Sequence, residues 1–161
     1  MGKVMPDQSD NAINEEQTRH SLSEESASVQ AHLQIMQGVI QRMAANSTAC
    51  KAWCITIVSA ILVLIADKGK PELAWLALLP SILFLALDAY YLALEKAFRA
   101  SYNTFIKKLH DDQISSEDLF SVIPKGNMSK HQIDSLKSYS VWGFYGSLIL
   151  LVVLAKEVVL Q

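Results

Sequence analysis

Asp88 is a carboxylate at the end of an apolar run, and no other residue of this chain carries so sharp a chemical signal. No Asp, Glu, Lys or Arg occurs from Leu73 to Leu87, and after Asp88 the next charge is Glu95. A carboxylate at a bilayer centre costs on the order of 2.5–3.5 kcal/mol, less near the edge, so its face must meet protein, water or headgroups. Asp88, Leu92, Glu95, Arg99 and Tyr102 follow 4-3-4-3 spacing and share one helical face, with Tyr91 three residues beyond Asp88. Glu95 and Arg99 stand at i, i+4 in the better orientation for a salt bridge. Three roles fit this face: a polar clamp that fixes helix register in the bundle interior or at a subunit contact, a carboxylate that snorkels to the headgroups, and a pore-lining or gating group.

The other reactive side chains point to less. Cys50 and Cys54 stand at i, i+4 with no His or further Cys near them. A zinc site would need two more ligands, so they are expected to be small packing residues. His20, His32, His110 and His131 are scattered through polar stretches and match no ligand spacing. Neither a nucleophile elbow, a glycine-rich phosphate loop nor an HExxH helix occurs. Neither an enzyme nor a bound cofactor is expected. Arg42, Asn46, Ser47 and Lys51 form a polar run just before the first apolar stretch. There they can anchor at an interface or hydrogen-bond a neighbouring helix.

The elements that must position these groups are apolar helices. Three stretches carry no charge: Ala52 to Ala66, Leu73 to Leu87 and Ser138 to Ala155. With their flanks each approaches the roughly 20 residues that cross a bilayer as a helix. Trp53, Trp75, Tyr90, Tyr91, Tyr139, Trp142 and Tyr145 cluster at the ends of these runs, as in an aromatic belt. The runs are apolar all round, which suits lipid better than the core of a soluble bundle. The expected fold is all-α, an integral membrane protein with three transmembrane helices and a cytoplasmic antiparallel helical stalk. No secretory signal is expected, because the first 28 residues are polar and hold six acids.

Along the chain, residues 1–23 are expected to form a disordered polar tail. An amphipathic helix over 24–50 carries Val29, Leu33, Met36, Ile40, Met43, Ser47 and Cys50 as a heptad seam and runs into a first span at about 48–66. Asp67 to Glu72 is a turn. A second span at about 73–94 continues as a cytoplasmic helix to 110, and Pro80 is expected to kink it. That helix presents Phe98, Tyr102, Phe105 and Leu109 as a second seam. The stalk then forms by packing Leu33, Met36, Ile40 and Met43 against Phe98, Tyr102, Phe105 and Leu109. A linker over 111–129 includes a short helix capped by Ser115 and running through Phe120. Ser129 with Gln132 suggests a capping box for a helix over 130–138, continuous with a third span at about 139–160.

Lys and Arg set the orientation. Four precede the first span, seven lie between the second and third, and two lie in the first loop. The expected arrangement is a multi-pass protein of a bacterial inner membrane, with its N-terminus and the 111–130 segment in the cytoplasm and its C-terminus outside. No basic patch suggests nucleic acid. The expected partners are membrane lipid and further copies of the chain in a cyclic ring, since three spans enclose no useful aqueous path.

The sixteen residues Leu87 to Tyr102, LDAYYLALEKAFRASY, resemble the LDxYYLxxExxFRxxY signature of RipA-like small bacterial membrane proteins. A weaker resemblance is to SLATT-type membrane effectors. Both resemblances imply a phage-defence effector that self-assembles in the inner membrane and disrupts it to arrest or kill the infected cell. They also imply a phage structural protein or a defence-system partner as trigger. Two other functions suit a three-span chain: a non-conducting membrane adaptor that holds a cytoplasmic partner, and a holin-like lysis protein. The long polar N-terminal region and the expected inside N-terminus argue against a minimal holin.

Overall fold

The computed structural model of the protein describes residues 23–159. The expected polar tail lies, apart from Ser23, outside the described residues. Those residues form helices and connections only, and three of the helices are long and apolar enough to span a membrane.

Helix α1 runs unbroken from Ala27 to Lys68, 42 residues, or about 60 Å at 1.5 Å per residue. Ser26 caps it by accepting from the Val29 N–H. Gly69 ends it in the left-handed conformation, φ 61°, with its N–H on the Ala66 carbonyl. That conformation favours glycine because it has no Cβ to clash. A 3-10 turn, Pro71–Ala77, reverses the chain, and α2 follows from Leu78 to His110. A single 3-10 turn, Ser116–Asp118, lies in the connection to α3, Met128–Leu136, and α4 spans Tyr139–Leu154 before a last π-helical turn.

α1 and α2 form the antiparallel hairpin expected from the two seams, and α3 and α4 pack against it. The described residues form two apolar cores. Between the spans, Cys54, Val58 and Ala77 meet Val141, Tyr145, Leu148 and Val152. In the stalk, Val29 and Met36 meet Phe105 and Leu109, with Leu33 and Tyr102 at the margin. The lipid-facing sides of the spans expose large apolar residues, including Val63, Leu64, Leu79, Ile82 and Leu150. Trp53, Tyr90, Tyr139 and Trp142 are exposed near the stalk end of the spans, and Trp75 near the opposite end. Lys156 lies 5.3 Å from the Trp75 ring centre, a cation–π contact joining the first loop to the end of α4.

The chain is 3-10 up to Ala77 and α-helical from Leu78, so Pro80, the expected kink site, lies in the first turn after the change of helix type. Three local expectations are corrected. The helix capped by Ser115 stops at Asp118, whose carboxylate accepts from the Ser115 N–H and closes a capping box. α3 is capped by Asn127 rather than Ser129: the Asn127 side chain accepts from the N–H groups of both Ser129 and Lys130. α3 also does not continue into the third span. It ends at Leu136, and Ser138, in extended conformation, restarts the chain as α4. Gly126, φ 101°, opens the turn before α3, and a Cβ there would lie 2.5 Å from His131 Nε2.

Candidate functional site

The hairpin places Asp88 against α1. Its side chain is fully buried, and its charge is answered inside the same chain. Lys51 Nζ lies 2.6 Å from Oδ2 without the alignment of a good hydrogen bond, so the contact acts as a point-charge pair. Ser47 Oγ donates to Oδ1. Lys51 Nζ also donates to Ser47 Oγ at 3.3 Å, which closes a triangle of three side chains. Ser47 and Lys51 stand one turn apart on α1, so both face α2 together. An ammonium and a carboxylate in contact sum to no net charge. That lets the group sit in an apolar bundle which would reject either partner alone.

α2 approaches its neighbours closely because its inner face is made of small residues. Ala89, Ala93, Ala97 and Ser101 recur every four residues and are all buried. Small side chains let backbones come together. Thus the Lys125 N–H reaches the Ala97 carbonyl at 3.3 Å, and Ser101 Oγ donates to the Ile123 carbonyl at 2.6 Å.

The remaining residues of the expected polar face fan out. Glu95 and Arg99 form their i, i+4 pair at 2.7 Å, but the Arg99 side chain is 62% exposed, and a pair so open to solvent stabilises little. Tyr91 is half-buried and meets Tyr90 edge-on. Tyr102 accepts a hydrogen bond from Gln37 Nε2 at 3.2 Å. The face disperses because its cover changes along α2: Asp88 lies against Ser47 and Lys51 of α1, while Arg99, on nearly the same side of the helix, meets solvent. Of the polar run on α1, Ser47 and Lys51 join Asp88, while Arg42 is exposed and Asn46 half-buried. In the stalk, Ile40, Met43 and Phe98 are half-buried outside the cluster formed by Met36, Phe105 and Leu109. Cys50 and Cys54 are buried free thiols in the same bundle. Among the described residues no cluster of His, Cys, Asp or Glu could hold a metal ion.

Sequence reasoning missed two pairings and the burial of two rings. The Lys51–Asp88 partnership was within reach of counting: Lys51 stands 18 residues before Gly69 and Asp88 stands 19 after it. Gln37 and Tyr102 stand 32 before and 33 after. An antiparallel hairpin turning at Gly69 pairs residues at equal distances. His32 had no such signal. It is buried against Phe105, with ring centres 4.4 Å apart, and its Nδ1 accepts from the Phe120 N–H. Tyr145 was expected in the aromatic belt, yet its ring is wholly buried, and its hydroxyl has no hydrogen-bond partner among the described residues.

An unpaired buried hydroxyl opposes folding by about 1–3 kcal/mol. Tyr145→Phe is therefore expected to leave the thermal midpoint of the detergent-solubilised protein unchanged or to raise it. A drop worth more than about 1 kcal/mol would show that the hydroxyl has a partner, such as a buried water. No protein-family model, curated protein or solved structure matches the chain.

Proposed function

We propose that the chain is a self-assembling protein of a bacterial inner membrane, whose assembled form permeabilises or disrupts that membrane as an effector of phage defence. The observation that carries the assembly step is a row left on the lipid side of α1. Thr48, Ala52, Thr56 and Ala60 recur every four residues and are all exposed. Thr48 and Thr56 donate their hydroxyls to carbonyls of their own helix, so the row presents small, satisfied groups. Such rows allow close helix packing in lipid. The membrane-disrupting role is supported by the resemblance of Leu87 to Tyr102 to RipA-like proteins. The orientation, with the stalk in the cytoplasm, is supported by the distribution of Lys and Arg.

One observation favours a second reading, a non-conducting adaptor. Asp88, the carboxylate best placed to line a water path, is neutralised within a single copy. Three measurements on an inducible bacterial strain separate the two: oligomer mass in mild detergent, dye entry, and a periplasm-active reporter fused after Gln161. The effector reading expects a ring-sized oligomer, dye entry and reporter activity. It also expects Ala52→Leu with Thr56→Leu to shift the oligomer to monomer and abolish dye entry while the helical content stays intact. An oligomer without dye entry favours the adaptor. A wild-type monomer overturns self-assembly.

A further inference from the structure

The segment joining α2 to α3 lies across the stalk, and besides the Lys125 N–H on the Ala97 carbonyl it is pinned at three points. The Phe120 N–H donates to His32 Nδ1 at 2.9 Å, Ser101 Oγ donates to the Ile123 carbonyl at 2.6 Å, and Lys108 pairs with Asp118 at 2.7 Å. Ile114, Leu119 and Val122 on this segment pack onto Val29, Met36, Phe105 and Leu109. We propose that the segment is a proton-released strap: neutral His32 holds it closed over the apolar face of the stalk, and a proton gained by the ring lets it lift.

The geometry requires one protonation state. To accept from a backbone N–H, Nδ1 must carry a lone pair, so the ring is neutral with its proton on Nε2. A protonated ring would set two N–H donors against each other at the Phe120 contact. The ring is 1% exposed, so water cannot replace the lost bond unless the strap moves. Phe120 itself holds φ 60°, the left-handed region that non-glycine residues disfavour, so the backbone at the latch gains by release.

The charges around the ring come from two elements. α2 contributes Lys108, and the strap contributes Glu117, Asp118 and Lys125, all lining a cleft of about 210 Å³ beside His32 and Met36. Asp118 favours the charged ring but is already engaged by Lys108. Burial outweighs it and holds His32 below the usual imidazole range. Lys108 holds the Asp118 carboxyl below the usual carboxylate range, so Asp118 keeps its charge through the pH interval in which an imidazole titrates.

The sign follows from linkage. The closed strap binds fewer protons than the open one, whose freed imidazole titrates near 6.5. Closure is therefore fully favoured above that pH. It weakens by about tenfold per pH unit below it for one proton, until the closed ring also titrates.

The test is amide hydrogen exchange on the full chain in lipid nanodiscs between pH 5 and 7.5, expressed as protection relative to intrinsic rates. Protection across Leu119 to Val122 is expected to fall by up to about tenfold per pH unit below 6.5, while the spans of α1 and α2 stay unchanged. His32→Asn keeps an acceptor near the Nδ1 position and cannot titrate, so its strap is expected to be less protected but flat with pH. The exposed His110–Glu24 contact at the stalk tip is left intact in that variant and serves as an internal control. A flat wild-type profile, or a slope that survives in His32→Asn, overturns the proposal. If the variant leaves the strap open at every pH, ring nitrogen shifts of wild-type His32 decide. A ring that stays neutral below the ordinary range and titrates together with strap release supports the latch. One that titrates at the ordinary pH with no strap movement overturns it.

Discussion

Lys51→Met is expected to destabilise the protein by about 3–5 kcal/mol, the usual consequence of leaving a buried carboxylate without its counter-charge. Among the described residues Asp88 has no second cation in contact, and Ser47 supplies a single hydrogen bond. The double replacement Lys51→Met, Asp88→Leu should recover most of that loss, because an apolar pair of similar volume replaces two desolvated ions. Asp88→Leu alone should be milder than Lys51→Met, since Lys51 is 19% exposed and can turn toward the headgroups. The check is a double-mutant cycle from equilibrium unfolding in mixed micelles. Equal, additive effects of the two single replacements would mean that the pair does not hold α1 to α2. If the pair also matters for activity, the double variant separates the roles: restored stability with lost dye entry would assign Asp88 and Lys51 more than a clamp.

Phe105→Ala is expected to cost about 3–5 kcal/mol, and Ile40→Ala only about 1 kcal/mol, although both lie on the expected stalk seams. Phe105 is 5% exposed, fills the centre of the stalk cluster, and supports the ring of His32. Ile40 lines an open groove with Gln37, Arg99, Tyr102 and Asn103, where water already reaches part of its surface. Phe105→Ala should also raise amide exchange across the strap at every pH, because Ile114, Leu119 and Val122 lose the surface they cover. Unfolding midpoints of the two variants, measured side by side in one detergent, check the ranking. Equal losses would show that the heptad pattern, rather than this packing, governs the stalk.

Local composition was enough to specify the spans and the hairpin. A helix that is apolar on every side has no alternative environment that satisfies it except lipid or other apolar helices, and this can be recognised without a partner in view. The turn at Gly69 was equally legible, because a left-handed position followed closely by a proline leaves few other conformations. Met36, Phe105 and Leu109 lie on the heptad seams of α1 and α2 and meet in the stalk cluster, since a short stretch of 3.5-residue spacing keeps one face aligned.

What needed tertiary structure was each feature set by elements far apart in sequence. The polar face from Asp88 to Tyr102 is continuous in spacing but not in space: its first residue is sealed against Ser47 and Lys51, while Arg99, eleven residues on, points to solvent. The stripe of Ala89, Ala93, Ala97 and Ser101 carried no chemical signal, yet its small side chains admit the strap to the α2 backbone. His32 looked like one of four scattered histidines, because its acceptor role depends on an amide 88 positions later in the chain. Spacing within one helix records which side chains share a face. It does not record which face the rest of the chain will cover, because that follows from how closely whole helices can approach, and the smallest residues decide it.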